Sequence, residues 1–182
     1  FRDCTVSGPG TTDGTSPAPE YNQTAFQFTN PTAYGTTEQI VISGCTITKC
    51  GNWAWTGAGD PDAHGVSLGT YFQDFWIVDN TFSYMSGCAV QIGAGTTGAN
   101  PLASVSRRIY TGRNTAHHIA QTAFFTKQSD ITIWSQNVAY EMRRDCPSSP
   151  NSCGIGCQYG PRNMWVIGNT VHTCQGGFQT QA

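Results

Sequence analysis

The chain has 182 residues, of which 11% are charged, and carries a formal net charge of −2; that balance excludes the basic surface that nucleic acid or anionic lipid requires. No apolar run approaches the ~20 residues of a membrane span, so none is expected. The abundance of Thr, Ser, Asn, Gln and Gly fits polar β surfaces and turns rather than long helices.

Taken in chain order, Phe1-Arg2-Asp3-Cys4 lacks the basic start and apolar core of a signal peptide, and the chain reads as a mature or trimmed product that begins inside a strand. Asp3-Cys4-Thr5-Val6 is the first of six copies of a short motif. The others are Gly44-Cys45-Thr46-Ile47, Asp79-Asn80-Thr81-Phe82, Arg113-Asn114-Thr115-Ala116, Gln136-Asn137-Val138-Ala139 and Gly168-Asn169-Thr170-Val171. Short apolar or aromatic strands precede most copies, clearest at Ile40-Val41-Ile42, Phe75-Trp76-Ile77 and Met164-Trp165-Val166. A second strand motif, opened by a small residue, recurs once per copy at Ala25–Phe28, Gly65–Leu68, Ala89–Ile92, Ala123–Thr126, Gly156–Tyr159 and Gly177–Thr180.

The spacing of the two motifs carries the architecture. From Asn80 to Val90, Asn114 to Phe124 and Asn169 to Phe178 the steps are 10, 10 and 9, while Val66 to Asn80, Phe124 to Asn137 and Cys157 to Asn169 take 14, 13 and 12, so a bare coil is about 22 or 23 residues. That period, without a helical stretch, is the signature of a β-solenoid whose coils pair with the coils above and below. We therefore expect an all-β chain, one β-solenoid domain over 1–182 with about six coils. An inward Asn in each turn, at Asn80, Asn114, Asn137 and Asn169, can bond to the turn backbone and to its equivalent one coil along; Cys4 and Cys45 replace it in the first two coils.

The succession of strand, Asn turn and strand at Phe75 to Phe82 and Met164 to Val171 resembles the right-handed parallel β-helix superfamily typified by pectate lyases. The resemblance covers nearly the whole chain. It implies the right-handed fold and leaves the activity open, because that superfamily spans polysaccharide lyases, hydrolases, epimerases, phage tailspikes and structural surface proteins.

The longest insertions fall at one corner, near 7–24, 51–64 and 143–155, where solenoids often build binding surfaces. Asn22-Gln23-Thr24 in the first is a glycosylation acceptor sequence. In the third, Cys146-Pro-Ser-Ser-Pro-Asn-Ser-Cys153 reads as a local disulfide closing a tight loop. Eight cysteines argue for an oxidising compartment, hence an extracellular or cell-surface protein, and their spacing gives no zinc knuckle, so no metal is expected. Cys4 and Cys45 share a column at a spacing of ~4.8 Å that is compatible with a bridge. Cys50 and Cys174 fall with Met85, Ile119 and Met142 in a buried apolar column, and the partners of Cys88 and Cys157 stay open.

Two sets of residues carry candidate chemistry. Asp60-Pro61-Asp62-Ala63-His64, with Lys49 earlier, offers carboxylates, an imidazole and an ammonium of the kind acid–base cleavage of acidic glycans needs; it resembles the Asp-Pro-His segment of alginate epimerases, interrupted by Asp62-Ala63. The column four residues before the Asn position, Val41, Trp76, Tyr110, Ile133 and Trp165, points outward if its neighbours point in, and its aromatics call for a sugar, a neighbouring chain or a loop to cover them. A one-residue shift in the Ile131 to Trp134 coil would keep Thr132 from facing inward. Asp79 and Arg113 read as a surface ion pair, and His117-His118 as solvated, with no carboxylate cluster expected beside them.

Neither end looks capped, which fits an excerpt of a longer helix or a head-to-tail fibre. The expectation is a structural solenoid that self-associates end to end and contacts glycans without a cofactor; the alternative is a polysaccharide lyase, the one case in which Ca2+ could take part.

Overall fold

The computed structural model describes residues 1–8, 24–29, 38–53, 62–93, 104–143 and 152–181. Its strands are β1 (Thr5–Ser7), β2 (Phe26–Phe28), β3 (Glu38–Ser43), β4 (Thr46–Thr48), β5 (Val66–Leu68), β6 (Gln73–Val78), β7 (Thr81–Met85), β8 (Val90–Ile92), β9 (Ser106–Gly112), β10 (Thr115–Ile119), β11 (Phe124–Lys127), β12 (Ser129–Ser135), β13 (Val138–Tyr140), β14 (Cys153–Gln158), β15 (Arg162–Ile167), β16 (Thr170–His172) and β17 (Gly176–Gln181). Every third strand pairs with the next in parallel. The result is three sheets, β1-β4-β7-β10-β13-β16, β2-β5-β8-β11-β14-β17 and β3-β6-β9-β12-β15, wound as a right-handed parallel β-helix of about six coils.

Alternation along each strand sends one set of side chains inward and stacks them by type. The first sheet contributes Val6, Ile47, Phe82, Ala116, Ala139 and Val171 to the interior. The second contributes Phe26, Val66, Val90, Phe124, Ile155 and Phe178. In the third sheet Ile42, Ile77, Thr111, Trp134 and Val166 fill one inward column, and the isolated pairing of Arg2 with Ser43 puts Phe1 at its start. A single coil could bury none of these, so the core exists only through stacking.

The corners are made by single residues in the left-handed region. Asp3, Gly44, Asp79, Arg113, Gln136 and Gly168 form one such column, with φ from 52° to 64°, directly before the Asn position. Lys49, Tyr84, His118, Glu141 and Thr173 form a second after the first sheet, with φ from 51° to 60°. A third, Gln39, Asp74, Arg108, Ile131 and Asn163, bulges out of the third-sheet strands. Each such residue other than Gly44 and Gly168, which have no Cβ, costs about 1–2 kcal/mol relative to ordinary backbone. The cost is offset because a one-residue bend turns the chain sharply while the strands on both sides keep facing the core.

The amide column is continuous. Asn80 Nδ2 donates to Asn114 Oδ1 at 2.9 Å, Asn114 Nδ2 to Asn137 Oδ1 at 3.0 Å and Asn137 Nδ2 to Asn169 Oδ1 at 2.9 Å. The second proton of each goes to a main-chain carbonyl one coil back: Ile42, Ile77, Thr111 and Trp134 accept from Asn80, Asn114, Asn137 and Asn169. Each Oδ1 also accepts the main-chain N–H of the preceding column member, Cys45 included. Asn114 and Asn137 thereby make all four bonds their side chains can make and Asn80 makes three, which is what allows polar groups in the interior.

Thr132 does face inward, with Trp134 buried beside it, so the strand is not shifted. Its hydroxyl donates to Ser129 Oγ at 2.8 Å, and Ser129 lies 2.6 Å from Thr126 Oγ1. The hydroxyl chain satisfies what looked like a misplaced polar residue.

All seven described cysteines are free thiols. The expected bridge to Cys146 is thus not made at Cys153, whose Sγ donates to the Ile155 carbonyl at 3.2 Å; Cys146 itself lies outside the described residues. Cys4 and Cys45 stack without bonding, each donating to the carbonyl two residues back. Cys50 packs in the core with Met85, Ile119 and Met142, and burial pushes its thiol up to about 11. Packing in the stacked columns accounts for where Cys4, Cys45 and Cys50 sit.

Candidate functional site

The corner between the first and second sheets gathers the polar groups that the fold does not need for itself. His64, just ahead of β5, is buried and its Nδ1 accepts the Cys88 N–H at 2.8 Å. That bond fixes the proton of the neutral ring on Nε2, which points toward Asp62 Oδ1 3.8 Å away. Asp62 is 42% exposed and accepts a hydrogen bond from Gln121 Nε2 at 3.1 Å. Desolvation pushes His64 down to about 4, against the opposing pull of Asp62 and with a smaller push from Lys127. The same burial raises the Cys88 thiol. Gly87 closes the corner: a Cβ there would sit 2.5 Å from His64 Nδ1.

Of the four residues expected to act together, Asp62 and His64 do meet. Lys49 lies elsewhere, in the left-handed column that continues into Tyr84 and His118. Asp60 and the glycosylation candidate Asn22 fall outside the described residues. The cation whose charge reaches His64 and Cys88 is Lys127, at the end of β11, with its Nζ 5.9 Å from the Phe125 ring centroid. It escaped the sequence reading although it shares a place in the coil with Gln158, its neighbour in register.

The outward column of the third sheet is in register as Val41, Trp76, Tyr110, Ile133 and Trp165. Trp76 and Trp165 stay 38% and 45% exposed. Val41, Trp76, Val78, Tyr110 and Arg113 line a shallow depression of about 620 Å³. Arg113 is held at its edge by a two-pronged pair with Asp79, at 2.8 and 2.7 Å. This hydrogen bonding holds the Asp79 carboxyl below its ordinary range. Asp74 and Arg108 repeat the arrangement at the bulge column.

A third group of side chains contradicts the reading of His117 and His118 as solvated residues without a carboxylate. Glu141, one coil on, brings Oε2 to 3.5 Å from His118 Nδ1, while His117 Nδ1 lies 2.7 Å from His118 Nδ1. Among the described residues these three make the group able to hold a metal ion, with ligand atoms all within 4.8 Å of one another. Burial, with the neighbouring His118, holds His117 below the usual imidazole range. The signal was in the numbering: His118 and Glu141 each stand four residues after a column Asn.

The sequence matches no family model, and searches of curated proteins and of solved structures find no similar protein. Among the described residues no helix is long and apolar enough to cross a membrane.

Proposed function

We propose that this chain is an extracellular or cell-surface structural β-solenoid that stacks end to end, into a fibre or longer β-helix, and contacts glycans along its outward aromatic column. The observation that supports this is that the first and last described coils present apolar members of the same in-register columns, which a further coil from this or another chain would continue. Val166 and Phe178 are 43% and 52% exposed, whereas Trp134 and Ile155, one coil back in the same columns, are 0% and 2%. At the other end Phe1 is 61% exposed, with its ring 5.0 Å from that of Phe26. A head-to-tail junction that keeps the columns aligned would set Phe1 on Val166, Phe26 on Phe178 and Val6 on Val171, and would pair the open strand edges. The amide column does not carry across, since Asn169 would meet Cys4, just as it is missing between Cys4 and Cys45. Sedimentation velocity and electron microscopy of the untagged chain should show rod-like oligomers that grow with concentration and disappear in Val166→Glu and Phe178→Glu. Monomers at every concentration would reject the stacking.

A second reading, a lyase or related enzyme of acidic glycans from the pectate-lyase-like superfamily, is favoured by the approach of Asp62 and His64 at the loop-bearing corner, within electrostatic reach of Lys127 at the end of β11. His64 is 3% exposed, so it would position Asp62, leaving Asp62 and Lys127 as the groups able to touch a polymer. Incubation with a panel of uronate polymers separates the readings. Ultraviolet-absorbing unsaturated products, lost in Lys127→Ala, support the enzyme; retention on a polymer without product, weakened in Trp76→Ala, supports glycan contact, and neither result on any polymer removes glycans from the account.

A further inference from the structure

Consecutive residues of a strand point to opposite faces, so His117 and His118 should not be able to share a ligand. They do come together, because His118 occupies the left-handed column with φ 54°, which swings its ring out of the alternation and onto the face that His117 already occupies. Glu141 holds the same left-handed position in the next coil, with φ 51°, and the His118 N–H donates to the Glu141 carbonyl at 3.1 Å. The backbone of two adjacent coils thus places three donor atoms side by side.

We propose that His117 Nδ1, His118 Nδ1 and Glu141 Oε2 bind a divalent transition-metal ion of the zinc type, with the remaining coordination positions open to water. Two nitrogens and a carboxylate oxygen are the donors such ions prefer, and three protein ligands leave the ion an exchangeable site. The separations suit it. Ligands about 2.0–2.1 Å from an octahedral or tetrahedral ion lie roughly 2.8–3.4 Å apart by geometry; the two separations made by His118, 2.7 and 3.5 Å, bracket that interval, and His117 and Glu141 lie within 4.8 Å. Small side-chain rotations are enough to close on an ion, and Glu141, with 51% of its side chain exposed, is free to make them.

The imidazoles are also held from behind. His118 stacks on Tyr84 at 4.6 Å between centroids and meets the edge of Trp53 at 5.1 Å. His117 stacks on Tyr140 at 5.1 Å, and Tyr140 in turn on His172 at 5.3 Å. These contacts fix ring planes rather than ligate, which is the support that a site of fixed geometry needs. The competing account is that the two rings share one proton in a hydrogen bond and the stack is structural only.

Cobalt(II) titration of the untagged, metal-free chain distinguishes them. We expect one equivalent to bind with visible d–d absorption and without the thiolate charge-transfer band that binding at the free cysteines would give. Glu141→Gln should weaken binding by roughly tenfold or more, the scale on which even indirect supports of a metal site act, and His117→Gln and His118→Gln should abolish it. Circular dichroism identifies any variant that fails to fold, in which case the exposed Glu141→Gln carries the test. Absence of binding, a thiolate band, or unchanged affinity in a folded Glu141→Gln protein would overturn the proposal, whether or not the coils stack end to end.

Discussion

His64 shows how one buried residue can set the acid limit of the fold. Its Nδ1 accepts from the Cys88 N–H at 2.8 Å, and protonation there would cost that bond as well as the desolvation of a charge. The folded-state value of about 4 lies below the 6.5 of an unperturbed imidazole, so the unfolded chain binds the proton first. Stability from this group is complete above pH about 6.5 and is lost as the pH falls towards 4, by about 3 kcal/mol across the interval. Denaturant unfolding followed from about pH 7.5 to 4 should therefore show a steeper fall for the native protein than for His64→Gln, which has no such titration. Parallel falls would show that His64 is not held neutral. The same residue marks a limit of the enzymatic reading, because a ring this enclosed acts through Asp62 and not on a polymer directly.

At the scale of strands and corners, much was legible because the solenoid repeats its own grammar. The motif around Asn80, Asn114, Asn137 and Asn169 located the first corner, and the steps between motifs gave the coil period. The period was read with two short strands where the structure has three sheets, and the copy placed at Gly156–Tyr159 pairs two residues earlier, with Ile155 beside Phe124. The outward column of Val41, Trp76, Tyr110, Ile133 and Trp165 followed from alternation alone. What resisted were the residues that break alternation. Ile131 sits in the left-handed region at φ 55°, where a β-branched side chain is least at ease, and no pattern in the sequence announces it. Thr132 looked out of register because the hydroxyls that satisfy it come from Ser129 and, through it, Thr126, on the bend between two sheets. His118 and Glu141 were countable from the column Asn yet went unpaired, since both histidines were read as solvated and alternation alone does not bring His118 onto the face of His117; the left-handed corner does. Cys153 reads as a bridge partner from its loop and is a packed thiol in the structure. Loop composition says little about which way a strand-edge side chain faces.

The whole molecule is a stack, and its cohesion is a sum over neighbouring coils. Hydrophobic columns supply the non-directional part, and they change residue type from coil to coil, as where Phe82 gives way to Ala116 and Trp134 takes over beside Phe124 at 5.7 Å. The amide column supplies register. A slip of one residue would expose every column and break each Asn bond at once. With so few charged residues, ion pairs such as Asp74–Arg108 and Asp79–Arg113 decorate corners without holding the stack. The corner polar cluster and the histidine–glutamate group are both consequences of the same winding. Each depends on residues far apart in sequence becoming neighbours one coil away.

That dependence is measurable by double-mutant cycles on unfolding free energy within the Asn column. Asn114→Ala and Asn137→Ala remove the two partners of one direct bond, and the account predicts that their effects couple by about 1 kcal/mol, whereas Asn80→Ala and Asn169→Ala, three coils apart, add within about 0.5 kcal/mol. Additive effects for Asn114 and Asn137, or equal coupling for both pairs, would contradict the in-register stacking from which the fold and every proposed site are built.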